Sequence, residues 1–113
     1  MPAPHKPPAL GEFELLVLLS TMGLKDEAYP FAITRELEGR TGRAVSRAAV
    51  LITLERLEDK ELVSSKYGGA TPERGGRQKR YFEVKPRGLK AVQEALDRIQ
   101  AMTAGLEGVL KRR

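Results

Sequence analysis

Leu62–Val84 reads LVSSKYGGATPERGGRQKRYFEV. Two short β-compatible runs, LVSSKY and RYFEV, flank a Gly-rich loop whose second half gathers Arg74, Arg77, Lys79 and Arg80. Gly68-Gly69 and Gly75-Gly76 supply backbone freedom, and Thr71-Pro72 sets a bend between them. The loop, Gly68 to Lys79, is long for a hairpin, and loops of that length are typically functional or disordered. A hairpin tip that concentrates positive charge suits a groove lined with phosphates. A phosphate-cradling nucleotide loop is excluded, because no GxxxxGK[ST] spacing is present and the segment joins two strands rather than a strand and a helix.

The charge of the whole chain points to the same stretch. The net charge is +5 over 113 residues, and residues 61–90 alone hold eight Lys/Arg against three Asp/Glu. A local basic patch on a near-neutral body is the footprint of a polyanion binder. The length predicts one domain. There is no Cys, which excludes disulfides and thiolate metal sites. The one His, His5, sits in the Pro-rich start MPAPHKPPAL, badly placed for a metal or for catalysis. With no nucleophile motif either, an enzyme is not expected, and neither a metal nor a cofactor. The longest apolar run, LLVLL, falls far short of the ~20 residues of a membrane span. Residues 1–9 read as a disordered arm rather than a targeting peptide, so the cytoplasm is the expected compartment and no membrane partner is expected.

Four helices are predicted around the hairpin. The first, Gly11 to Met22, is apolar almost all round, and Gly23 is its expected stop. Surface to spare on it, including Leu16 and Leu19, suggests a second surface covered by a partner chain. The second starts at Tyr29-Pro30, with Gly42 as its expected C-cap. The third opens at the N-cap Ser46, with Val45 and Val50 at the spacing of a hydrophobic staple. Val50, Leu54 and Leu57 recur at i, i+4, i+7 and face the core. Ala48, Ala49, Ile52, Glu55, Arg56 and Asp59 then point outward. Small side chains let such a helix sink into a major groove, and Ile52 can touch a thymine methyl. The fourth helix is predicted from Pro86 to Leu110, ~37 Å long. Its Leu89, Val92, Leu96, Ile99, Thr103, Leu106 and Leu110 form an a/d seam, which predicts a dimerisation helix.

The order helix, helix, helix, basic hairpin, long helix resembles the PadR-like winged helix-turn-helix transcriptional regulators. GEFELLVLLSTM and DEAYPFAITREL are similar to that family's opening pair of helices, AVSRAAVLITLERLEDKELV to its recognition helix and first wing strand, and GGRQKRYFEVKPRG to its wing and the start of its last helix. The match covers roughly Leu10 to Leu96. Two positions depart from the pattern: Leu51-Ile52 stands where an aromatic-Pro pair is common, and Glu61 where Gly is common. The C-terminal part is a single helix, as in the family's compact members.

The resemblance implies a mainly α fold with a small β-hairpin. A winged helix-turn-helix domain would occupy residues 10–85 and a C-terminal dimerisation helix residues 86–113. It implies a homodimer that binds double-stranded DNA at a pseudo-palindromic operator, with repression as the family default. The expected DNA neighbours are Ser46, Arg47, Ala49, Ile52, Thr53 and Arg56 on the third helix, with Arg47 as direct reader and Arg56 as a phosphate clamp or a partner of Glu55 or Asp59. Arg74, Arg77, Lys79 and Arg80 are expected on the wing, although Arg80, inside a strand, can instead pair with an acidic neighbour. The expected dimer interface is Leu16, Leu19, Leu89, Val92, Leu96, Ile99 and Leu106. The family includes regulators that bind small ligands between subunits. With no Trp, an aromatic-stacking pocket is less expected, though Phe13, Tyr29 and Phe31 can line a small one, so a small-molecule effector stays open but is not indicated. The alternative reading is a winged-helix module that meets an acidic protein partner instead of DNA.

Overall fold

A computed structural model describes residues 9–68 and 78–111. Helix α1 (Glu12–Leu24) runs into a 3-10 turn (Lys25–Glu27), then come α2 (Pro30–Thr41), α3 (Arg47–Asp59), strands β1 (Val63–Gly68) and β2 (Lys79–Val84), and α4 (Pro86–Thr103). The strands form one antiparallel ladder in which Val63 faces Val84, Ser65 faces Phe82 and Tyr67 faces Arg80.

Helix α1 is the central element. It touches α2, α3, α4 and β2, which accounts for its apolar circumference within one chain. Leu15, Val17 and Leu18 are buried, Phe13, Leu16 and Leu19 pack partly against the same core, and Met22 is exposed. The spare surface expected on Leu16 and Leu19 is therefore largely used internally. Gly23 does not end the helix. Leu24 packs against the core and carries the helix past the glycine, and the chain turns at Lys25, φ 54°.

The second and third helices start and stop where their side chains dictate. Tyr29 is the N-cap of α2 with Pro30 in its first turn, and Gly42 closes it in the left-handed region, φ 70°. Ser46 caps α3, its Oγ accepting from the Ala49 N–H at 3.2 Å. Val50, Leu54 and Leu57 are fully buried. At the far end of α3, Glu61 N–H donates to Glu58 O and Leu62 N–H to Leu57 O, each at 2.9 Å. That pattern is a Schellman turn, with Leu57 and Leu62 both buried beneath it. The edge of β2 away from β1 is covered as well: Phe82 N–H donates to Ala28 O at 2.8 Å.

Helix α4 departs most from expectation. It ends at Thr103 and not at Leu110, so its 18 residues span about 27 Å. Ala104 is extended and Gly105 sits at φ 86°, which takes the backbone out of the helix. Leu106, Val109 and Leu110 lie beyond this break in a separate exposed turn. Gly88, Ala91, Val92 and Ala95 are the face that packs on the domain, so Val92 belongs to the core and not to an outward seam. Leu89, Leu96, Ile99 and Met102 are exposed, and beyond Ala95 the helix overhangs the domain. No helix among the described residues is long and apolar enough to cross a membrane.

Candidate nucleic-acid interface

Helix α3 has one face committed to the core and one free. Arg47, Ala48, Ile52, Glu55 and Arg56 are exposed and Ala49 is half-buried. Thr53 is not on this face. It is 8% exposed, beside Leu54, because its position falls on the inward side of the helix. It is therefore removed from the expected contact set. The Ser46 hydroxyl is exposed but occupied by its cap bond to Ala49. Arg56 forms no ion pair with Glu55 or Asp59 among the described residues.

The start of α3 lies beside the start of α2 and the base of the wing. Tyr29, Pro30, Phe31, Arg47, Lys79 and Arg80 line one open cleft of about 480 Å³. Two aromatic rings carry its cations. The Arg47 guanidinium lies 5.0 Å from the centre of the Phe31 ring, with Arg35 5.7 Å from the same ring. The Lys79 ammonium lies 3.8 Å from the centre of the Tyr29 ring, which meets Tyr81 edge-on at 5.6 Å. Such contacts hold long cationic side chains in place while leaving their charge available. Tyr29, Phe31 and Arg35 were not among the expected DNA neighbours. They stand on α2, and only the tertiary packing brings the start of that helix to the start of α3. Phe13, once grouped with Tyr29 and Phe31, lies at the edge of the core and not in this cleft.

Arg80 is drawn inward. Its Nη2 donates to Glu58 Oε1 at 2.6 Å, its Nη1 to Glu55 Oε2 at 3.3 Å and its Nε to Ser65 Oγ at 3.2 Å. Its side chain is 24% exposed and its guanidinium stacks 4.9 Å from the centre of the Phe82 ring. It is a brace between β2 and α3, not a free cation on the wing. Arg74 and Arg77 lie outside the described residues.

A larger groove, about 630 Å³, lies behind the hairpin against the end of α1. Its charges oppose one another, Lys25 and Lys66 against Asp26 and Glu83, so it has no preference for an anion. The cationic cleft at α3 is the smaller of the two and the chemically directed one.

No family model and no curated protein matches the chain. Solved structures do match its fold. A PadR-like transcriptional regulator from Bacillus cereus superposes with a TM-score of 0.70 at 15% identity, over 89% of this chain and 93% of that one. A PadR family transcription regulator from hypervirulent Clostridium difficile gives 0.69 at 19% identity, over 87% and 96%. A PadR family transcriptional regulator from Eggerthella lenta gives 0.67 at 19% identity, over 89% and 85%. All three are named as transcription regulators. Four helices around a single antiparallel hairpin, with α3 and the strands of the hairpin framing a cationic cleft, give this chain the winged-helix fold of those PadR-like regulators.

Proposed function

We propose that this protein is a sequence-specific, double-stranded DNA-binding transcriptional regulator that works as a homodimer. The observation that carries the reading is the cleft in which Arg47, from the start of α3, and Lys79, from the base of the wing, stand on one surface. In this reading α3 enters the major groove with Ser46, Arg47, Ala49, Ile52 and Arg56 toward the DNA. Arg47 forks onto a guanine edge, and the small side chains of Ala48 and Ala49 allow the close approach. Lys79, with Arg74 and Arg77 before it in the sequence, holds phosphates or the adjacent minor groove, which gives affinity and registration without sequence information. The overhanging half of α4, with Leu96 and Ile99 exposed, pairs with a second copy. Two-fold pairing sets two α3 helices about one DNA turn apart, on a pseudo-palindromic site with half-sites ~10 bp between centres. Acting by occupancy, as the PadR resemblance implies, the dimer represses the genes its sites overlap.

Selection from a pool of random-sequence duplexes with the purified chain tests this reading. The expected product is one inverted repeat with that spacing. Recovery of a single unrepeated half-site would remove the two-fold dimer, and no enrichment over the input pool would remove DNA recognition itself.

A further inference from the structure

We infer that Arg80 is a positioning residue, which fixes the wing relative to the recognition helix and masks two carboxylates that the helix would otherwise present to DNA. The inference rests on the DNA-binding reading above and assigns Arg80 no contact with DNA.

The geometry is a closed ring. Arg80 on β2 donates to Glu58 and Glu55 on α3 and to Ser65 on β1, and the Ser65 hydroxyl donates back to Glu58 Oε2 at 2.7 Å. Among the described residues, every hydrogen bond between β2 and α3 comes from Arg80. Charge-assisted bonds from one planar fork are the strong and directional kind, and a lysine, whose donors all sit on one nitrogen, cannot span acceptors on three side chains in this way.

Electrostatics give the ring its second role. Glu55 is 51% exposed on the outward side of α3, near Ile52 and Arg56. A carboxylate there faces the polyanion that the helix is to approach. Within a Debye length of about 8 Å at physiological salt, an uncompensated negative charge opposes phosphate at close range. Arg80 sits against both carboxylates and leaves the trio with one net negative charge instead of two. A helix that must carry Glu55 and Glu58 near DNA is made compatible with it by one strand residue, and the same residue sets the angle of the wing.

The test compares Arg80→Gln, Arg80→Lys, Glu58→Gln and the Arg80→Gln/Glu58→Gln pair with wild type. Each is titrated by fluorescence anisotropy against the duplex selected above and against a shuffled duplex of equal length, with thermal unfolding to verify folding. Arg80→Gln is expected to lose about tenfold in affinity for the selected duplex, and the double variant to be no worse than the single, since the two groups act as one unit. Arg80→Lys is expected to recover part of the affinity and little of the discrimination between duplexes. The decisive variant is Glu58→Gln. A positioning role predicts weaker binding although a negative charge is removed, whereas a phosphate-gripping Arg80 held back by Glu58 predicts tighter binding. Tighter binding by Glu58→Gln, or unchanged binding by Arg80→Gln, overturns the inference while wild type still binds. A wild-type chain that prefers no duplex overturns the DNA-binding reading, and this role with it.

Discussion

Glu61 stands at φ 63°, in the left-handed region, at the turn that ends α3. It occupies the position of a Schellman turn that glycine fills at least strain, and a side chain there costs roughly 1–2 kcal/mol. This explains in physical terms why glycine is the residue common at the corresponding place in the PadR-like pattern. Glu61→Gly is expected to raise stability by about 0.5–1 kcal/mol, part of the strain relief being offset by the freedom glycine adds to the unfolded chain. Chemical denaturation measures it, and a loss of stability would contradict the strain. Gly88 is the opposite case. A Cβ built on it would lie 2.2 Å from Leu62 O and 2.9 Å from Val84 Cγ1, so α4 meets the start of the hairpin only because this side chain is absent. Gly88→Ala is expected to destabilise the fold by about 1–3 kcal/mol or more, since backbone must shift to admit the methyl. An unchanged melting temperature would show that α4 sits further from the hairpin. Arg47 belongs to this scale as well. Arg47→Ala is expected to lose ~1–3 kcal/mol of binding and to relax preference at one base position. Equal weakening on every duplex would make it a phosphate contact only.

At the scale of the elements, the C-terminal half of α3 is held by two sets of opposite charges. Arg80 and the hairpin grip its outer side, and Lys60, just past its end, reaches Glu14 on α1 with Nζ 2.7 Å from Oε2. Glu14 also accepts from the Gly11 N–H at 3.1 Å, closing the first turn of α1. Partial burial disfavours the ionised carboxyl of Glu14. The Lys60 and Gly11 hydrogen bonds and the charges of Lys60 and Arg56 outweigh it and hold the group below its ordinary value of 4.5. A carboxyl lowered on folding adds stability that is fully present above the unfolded value and is lost as pH falls through the folded one. Glu14→Gln is therefore expected to lower stability at neutral pH by about 0.5–1.5 kcal/mol, as for one partly exposed pair. The gap between variant and wild type should close as pH falls below 4.5. Melting curves across that range check the sign, and a gap that widens in acid would contradict it. Helix α3 itself was largely legible beforehand. Its cap at Ser46 and its inward row Val50, Leu54 and Leu57 follow from local chemistry and a 3.6-residue period. Thr53 was not, although it lies on the same inward stripe at i+3 from Val50, because its hydroxyl reads as polar.

At the scale of the whole molecule the domain leaves the second half of α4 uncovered. Helix α4 rests on the core through Gly88, Ala91, Val92 and Ala95, and then projects with Leu96, Ile99 and Met102 exposed. Large apolar side chains grouped on one projecting element are the mark of an association surface. Leu96→Asp with Ile99→Asp is expected to give a folded monomer, since neither side chain is part of the core, and sedimentation analysis measures it. A dimer of unchanged size would place the interface elsewhere.

The sequence alone determined the succession of elements, the caps at Gly42 and Ser46, the buried row of α3 and the concentration of positive charge around the wing. These rest on interactions between near neighbours in the chain, which leave a pattern in the order of residues. Only the tertiary structure decided which charges stay available. It turned Arg80 inward to Glu55 and Glu58, placed Val92 in the core, and brought Tyr29 and Phe31 beneath Lys79 and Arg47. It also stopped α4 before Leu106, at a glycine whose neighbours offer no core to hold the helix on, whereas Leu24 had such a core and carried α1 past Gly23. In each case the outcome depends on partners far away in the chain, and those contacts are set only when the helices and the hairpin pack together.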